Sequence, residues 1–491
     1  MKRSSILSLV VILIISVFPV GQAQQPLDTA SIDAYITNHI TENQIPGLAI
    51  SIVHNDEIVY TQGYGVTGPE GLPVTPQTPF ILGSTSKSFT ALAVMQLVEA
   101  GDIELDATVE TYLPWFTMAD PEKARLITVR HLLTHSSGLS GPVSDKDLVN
   151  PDVNEDALET HIRELVDYDL ARPAGEGYEY NNAGYDILGL IVQTVSGETF
   201  EDYIEKYIYS PLEMTTSYAS KEEADANGLA VGHTYFFGRP RVANAPYPRR
   251  KLPSGFLIAS AEDLGHYLIA QLNEGRYEEA QILSPENVAL LHQPAVETFD
   301  KGVSYAFGWR IHLVEGESFV WHGGDTSSYH SNMVFSPTLG WGVAIVMNVA
   351  GLPQSAALNE PIKQVFRLSS GYNTGQEVDD MESLFYVIWG IAIFSIVLNL
   401  GYLRKFLQRT SQDSPLNLVR YLILPLGYNL LLVYLMFVWF PSSNDSNIAV
   451  MFAFVPDTSL IFVASTLVNV LTMLTRIVVY LRAQRSHQTS H

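Results

Sequence analysis

Apolar and polar positions divide the chain into contrasting stretches. Residues 6–20 form a short apolar run behind Lys2 and Arg3. Residues 29–45 follow the 3.6-residue repeat of an amphipathic helix, stopped by Pro46 and Gly47. LAISIVHNDEIVYTQGYG alternates apolar and polar positions on both sides of Asn55 and Asp56, which predicts a β-hairpin. FILGSTSKSFTALAVMQLVEAG, residues 80–101, predicts a helix that is apolar nearly all round, with Glu99 as its only acid and Gly101 suited to its closing turn. Such a helix belongs in a core. From about Asp102 to Gly255 short helical patterns are broken by Pro and Gly, which predicts a helical lobe. Strand-like runs return in YAFGWRIHLV, SFVWHGG, SNMVFSP and WGVAIVMNV. Neither the hairpin nor these runs cover two sheet faces alone, so both sets are expected to share one sheet.

The polar, turn-rich SGYNTGQEVDDME at 370–382 marks a boundary, with a domain over 24–372 and a linker at 373–383. Three apolar runs of membrane-spanning length follow in 384–491, at 384–403, 421–440 and 459–481. The shorter IAVMFAFV before Pro456 reads as interfacial or as an extension. Arg404, Lys405, Arg409 and Arg420 cluster between the first two runs, PSSNDSN between the next two has no Lys or Arg, and Arg482 and Arg485 follow the last. The positive-inside rule then places the main domain outside, extracellular or periplasmic, on a multi-pass cell-membrane protein. Residues 1–23 agree, reading as a secretory signal peptide cleaved after Ala23, with an uncleaved anchor as the alternative. A buried helical hairpin in a soluble domain is the competing reading for the C-terminal runs.

Composition narrows the chemistry. The 491 residues exceed one average domain, and 28 Lys plus Arg against 52 Asp plus Glu give a net charge of −24, which argues against a nucleic-acid partner. No cysteine is present, so disulfides, thiolate catalysis and Cys-ligated metals are excluded. His131 and His135 stand one predicted helical turn apart, but no Glu follows the first and no third ligand can be placed, so no metal is expected. No glycine motif for phosphate occurs, and no cofactor is expected.

Ser84 and Lys87, three apart at the head of the core helix, share one face and can meet. Unpaired backbone N–H groups there favour developing negative charge, which suits a nucleophile. Ser-x-x-Lys alone is common, but PAGEGYEYNNAGYDILG at 173–189 adds the triplet Tyr180, Asn181 and Asn182, and VWHGGDT at 320–326 adds a basic residue followed by glycines on a strand. Singly, each has a plainer reading: Tyr180 as a buried aromatic, Asn182 as the N-cap of the next helix, His322 as an ordinary polar residue. In this order they make the three-part signature of penicillin-recognising serine hydrolases.

On these motifs, residues 30 to 370 resemble the serine β-lactamase-related family of class C β-lactamases, DD-carboxypeptidases and family esterases. ITVRHLLTHSSGL at 127–139, SPLEM at 210–214, LIASAEDL at 257–264 and FGWRI at 307–311 belong to the same resemblance. It implies an α/β fold, an antiparallel sheet flanked by helices beside a helical lobe. It also implies roles. Ser84 would be acylated, with Lys87 or Tyr180 as its base; Asn182 would orient substrate and Lys87; His322, Gly323 and Gly324 would line the substrate strand; and the backbone N–H groups of Ser84 and Asp325 would form the oxyanion hole. His322 stands where many β-lactamases carry Lys, and the Asp325 carboxylate is expected to point away from the site. The expected substrate is a β-lactam, a D-amino-acid peptide or an ester. A slow-acylating or inactive penicillin-binding sensor is the alternative, and a partner-binding role for the spans a third.

Overall fold

The computed structural model describes residues 27–140, 148, 154–375, 381–408, 423–439 and 448–488. The signal peptide expected over residues 1–23 lies outside them, as does part of the expected linker.

One eight-stranded sheet joins the two ends of the main domain. Its strands are β1 (Gly47–His54), β2 (Glu57–Gly65), β3 (Val296–Glu297), β4 (Val303–Tyr305), β5 (Arg310–Val314), β6 (Glu317–Asp325), β7 (His330–Ser336) and β8 (Trp341–Met347). They lie in the order β2-β1-β8-β7-β6-β5-β4-β3, antiparallel throughout. The expected hairpin and the late strands therefore do share a sheet, joined where Leu48 pairs with Met347 and Val53 with Gly342.

The period-2 alternation of β1 explains the layers. Leu48, Ile50 and Ile52 face a core completed by Ile32 and Ile36 of α1 (Thr29–Glu42) and Ile362 and Val365 of a helix near the end of the domain. Ala49 and Val53 face the opposite core, which holds α2 (Ser86–Ala100) and α3 (Ala183–Ser196). On that side α4 (Ala261–Leu272) crosses β1 and β8, with α5 (Ser355–Ser370) on the other side. α2 is buried at eleven of its fifteen positions, as its all-round apolar pattern requires.

A buried charged cluster ties the helical lobe together. Lys251 Nζ donates to Asp186 Oδ2 at 2.9 Å and lies 2.8 Å from His161 Nε2, all three side chains inaccessible to solvent. Burial alone would raise the Asp186 carboxyl, but Lys251 and His161 outweigh it and hold the group below its ordinary value. The cluster anchors the π-helical turn Leu252–Phe256, which leads into the site.

Beyond the main domain stand α6 (Met381–Leu407), α7 (Leu424–Tyr434, continued by a π-helical turn to Trp439), α8 (Ile448–Phe454) and α9 (Pro456–Gln488). Two stretches, Met381–Leu407 and Pro456–Arg482, are long and apolar enough to cross a membrane, covering the first and third expected spans. The second expected span, 421–440, is described only over 423–439. The bundle is apolar outside and polar within. Ile391, Phe394 and Val397 are exposed, whereas Ser395, Asn399, Asn429, Asn469 and Arg476 are buried. Asn399 and Asn429 exchange side-chain hydrogen bonds, Asn469 donates to Ser395 Oγ at 3.1 Å, and Arg476 donates to the Asn399 carbonyl at 2.7 Å. The bundle docks on the main domain through Asp457, which accepts from the Phe237 N–H at 3.1 Å, and Trp389, whose ring lies 5.5 Å from that of Phe237.

Candidate active site

Ser84 sits on a single 3-10 turn, Gly83–Thr85, which runs into α2. The nucleophile candidate thus precedes the α-helix, while Lys87 belongs to its first turn. Lys87 is fully buried and its Nζ reaches three oxygens: Ser84 Oγ at 3.1 Å, Asn182 Oδ1 at 2.6 Å and the Ser254 carbonyl at 2.6 Å. As an ammonium Lys87 donates to all three; once it gives up a proton it keeps two N–H donors for Asn182 and Ser254 and has a lone pair for the Ser84 hydroxyl, so the same geometry can receive that proton. Ser254 is the member sequence reasoning missed. It acts through its main-chain carbonyl, which carries no side-chain signal, and it is placed by Thr90 Oγ1 donating to the Pro253 carbonyl at 2.6 Å and Leu257 N–H donating to Ser86 Oγ at 3.1 Å.

Two adjacent asparagines divide the work at the head of α3. Asn181 Oδ1 accepts from the Gly184 N–H at 2.8 Å and is the side chain that caps, leaving Asn182 Oδ1 to accept from Lys87. Tyr180 lies just before them, its ring centroid 4.9 Å from Lys87 Nζ and 4.3 Å from that of His135. His135 is not on a helix with His131: the helix Val129–Leu133 ends first, and His135 takes a left-handed φ of 55°. Its ring turns toward Tyr180, Tyr185 and Tyr305. Among the described residues no group of three His, Cys, Asp or Glu side chains could hold a metal.

β6 brings the third motif against the Ser84 turn. A Cβ on Gly324 would stand 2.1 Å from the Leu82 carbonyl oxygen and 2.8 Å from Ser84 N; one on Gly83 (φ +57°) would stand 2.5 Å from Asp325 N. Only glycine permits this approach, which brings the turn that carries the Ser84 N–H against the strand that carries the Asp325 N–H. Ser331 Oγ donates to the Leu82 carbonyl and lies 2.9 Å from Thr85 Oγ1, tying β7 to the same turn. The Asp325 carboxylate is engaged by His330 Nδ1 at 2.7 Å across the β6–β7 pair.

His322 is buried, and burial first, then Arg310 and Lys87, hold its imidazole well below the ordinary value. Nδ1 lies 2.6 Å from the Gly323 carbonyl, which can only accept, so Nδ1 carries the proton and the Tyr305 hydroxyl donates to Nε2 at 3.1 Å. Lining the site, it is thus a neutral ring with both nitrogens engaged, not a cation. The positive charge in the adjoining cavity includes Arg310, from the FGWRI run. It bonds Asp300 at 2.8 Å and the Tyr178 hydroxyl at 3.3 Å, and nearby Tyr178, Tyr180, Tyr305 and Asp300 outweigh burial to raise its basicity.

Neutral histidines, His135 and His322 buried and His292 half-buried, set an acid limit. His135 and His322 are held well below 6.5 by burial first, and burial pushes His292 down to about 3. Above pH 6.5 neither folded nor unfolded chain protonates them. Below it the unfolded chain takes up protons that the folded chain refuses, so stability falls as pH falls, by about 1.4 kcal/mol per pH unit for each such histidine. Melting of the protein in detergent from pH 8 to 4.5 is expected to be flat above pH 6.5 and to drop below it, and His292→Gln is expected to make that drop shallower. A melting temperature that rises on acidification would contradict the assignment.

Comparison with known proteins agrees with this architecture. The family model described as Beta-lactamase matches residues 32–366. Protein flp of Staphylococcus aureus strain COL is 28% identical over 327 residues, 65% of this chain and 62% of that protein, so the chain spans about three fifths of that relative's length. Penicillin-binding protein 4 of Amycolatopsis lactamdurans is 28% identical over 316 residues, 63% of this chain and 82% of that one. Among solved structures, the octameric penicillin-binding protein homologue from Pyrococcus abyssi aligns with a TM-score of 0.62 at 31% identity, covering 74% of this chain and 81% of that one. EstCE1, a hydrolase with promiscuous acyltransferase activity, aligns at 0.61 and 23% identity over 70% of this chain and 98% of its own, a likeness of fold. The family match begins in α1 and ends in α5, enclosing the whole sheet, the helical lobe and every residue of the site just described, and on that basis the chain belongs to the beta-lactamase family.

Proposed function

We propose that the protein is an exported, membrane-tethered serine hydrolase that works through a covalent acyl-serine on a β-lactam, a D-amino-acid peptide or an ester. The observation that carries this reading is Lys87 Nζ held 3.1 Å from Ser84 Oγ by two stronger acceptors. In the first step the Ser84 proton passes to Lys87 or Tyr180, and Oγ bonds the carbonyl carbon. The oxyanion draws on the Ser84 and Asp325 N–H groups, and the proton returns to the leaving oxygen or nitrogen. Water then attacks the acyl-serine, freeing the acid and Ser84. Asn182 orients Lys87, while Gly323, Gly324 and the neutral His322 shape the strand along which the substrate lies.

The membrane reading draws on the inside-out bundle. Met381, at the start of α6, is next to the main domain, and Arg404 and Lys405 stand at its far end. A hydrocarbon surround favours exposed apolar and buried polar side chains, and the basic end marks the inner face. The multi-pass topology thus leaves the active site outside.

Intact mass of the full chain in detergent, after brief exposure to a fluorophosphonate and separately to a penicillin, tests the reaction class. A probe-sized adduct is expected on the wild type and not on Ser84→Ala. Drug disappearance separates turnover from a slow-acylating penicillin-binding sensor. No adduct from either reagent on folded wild type would sink the hydrolase reading.

A further inference from the structure

Ser84 opens onto two cavities, one mixed and charged, the other mainly apolar. The larger, about 800 Å³, passes Tyr180, Asp300, Lys301, Arg310 and His322, and its walls offer charges and hydrogen bonds. The smaller, about 280 Å³, has Ser84 and Asn182 on one side and Phe256 among its other walls. The main domain also contributes the polar Ser254, Asp325 and Thr326 to the lining, whereas every described residue that the C-terminal bundle contributes, Phe385 and Ile388 of α6 and Met451 of α8 among them, is apolar. The bundle's packing against the main domain thus builds a chamber that includes Ser84 in its lining and has an apolar wall facing it from the bundle.

An apolar wall beside a nucleophile selects what can be processed. Peptide or sugar groups would lose their hydrogen bonds to water there without replacement. An aliphatic chain gains instead, by about fourfold in binding for each methylene buried. The charged cavity that also reaches Ser84 suits a hydrated leaving group.

We propose that the substrates are amphiphilic acyl esters, with the aliphatic acyl chain in the chamber between main domain and bundle and the polar alcohol in the larger cavity. The inference rests on the serine-hydrolase reading above and narrows its substrate class. Ser84 Oγ bonds the fatty-acyl carbonyl carbon as the ester C–O bond breaks, the Ser84 proton leaves on the alcohol, and water releases the fatty acid. The chamber is walled by the first turns of α6, the end of the proposed first span nearest the main domain.

The full chain in lipid nanodiscs is assayed with p-nitrophenyl acetate, butyrate, octanoate and decanoate, and its Ser84 reactivity is checked with a fluorophosphonate. kcat/KM is expected to rise by at least about tenfold from acetate to octanoate. Ile388→Trp and Met451→Trp, which fill the chamber, are expected to lower the octanoate-to-acetate ratio several-fold. Val397→Trp, on the same helix but 62% exposed, keeps the wild-type ratio. Fatty acid released from phosphatidylglycerol vesicles would identify bilayer lipid as a source, and release only from the dispersed monoacyl esters would identify free amphiphiles. A flat or falling chain-length profile on protein labelled at Ser84 overturns the acyl-ester proposal and leaves the hydrolase intact. Absence of labelling at Ser84 removes both.

Discussion

Lys87→Met is expected to slow acylation of Ser84 by about 10²–10⁴-fold, the span of a positioned general base. Methionine matches the length of the aliphatic stem and suits the buried site, but it takes away the nitrogen 3.1 Å from Ser84 Oγ and the donor shared by Asn182 and Ser254. A buried acceptor, the Ser254 carbonyl, and a half-buried one, Asn182 Oδ1, lose a partner, so a stability cost of about 1–3 kcal/mol accompanies the kinetic loss. The second-order rate of fluorophosphonate labelling, read beside a thermal melt, separates these effects. A variant that melts a few degrees lower yet labels at the wild-type rate would remove Lys87 from the reaction and shift the proton to Tyr180. Asn182→Ala is the companion measurement, since it leaves Lys87 in place but lets its amine swing.

Gly324→Ala should be nearly as damaging for a different reason. The added methyl would stand 2.1 Å from the Leu82 carbonyl and 2.8 Å from Ser84 N, both backbone atoms that cannot swing aside. β6 must then retreat from the Ser84 turn, parting the two proposed oxyanion donors. Loss of one such donor costs about 10²–10³-fold in kcat. Gly323→Ala is the control on the same strand, for its methyl would meet the Asn332 side-chain oxygen at 3.0 Å, which can give way. Equal rates for Gly324→Ala and wild type would show that the close approach is packing alone.

Much of this molecule follows from local pattern. The alternation in β1 assigns its two faces, the all-round apolar character of 86–100 buries α2, and the three-residue step from Ser84 to Lys87 brings their side chains together, because strand and helix periodicities are properties of neighbouring residues. The spanning length of two C-terminal stretches was legible in the same way.

Partners distant in sequence were not. Asn182 could equally have been the cap of α3, and only the packing of α2 against α3 gives Asn181 that task and turns Asn182 to Lys87. His322 carries no intrinsic charge state; its burial beside Arg310 and Lys87, with Tyr305 on one nitrogen and a carbonyl on the other, makes it neutral. The Ser254 carbonyl is chemically the same as any other until the turn that bears it is pinned against α2. The apolar chamber has no sequence motif, since its walls come from residues up to 371 positions apart, Ser84 and Val455. Local pattern dictates which elements form, which faces they bury and which side chains can carry chemistry. The tertiary structure decided which of those side chains meet, what charge they hold and what lies beside the nucleophile, because burial and long-range contact, not residue type, determine pKa, hydrogen-bond partners and the shape of a cavity.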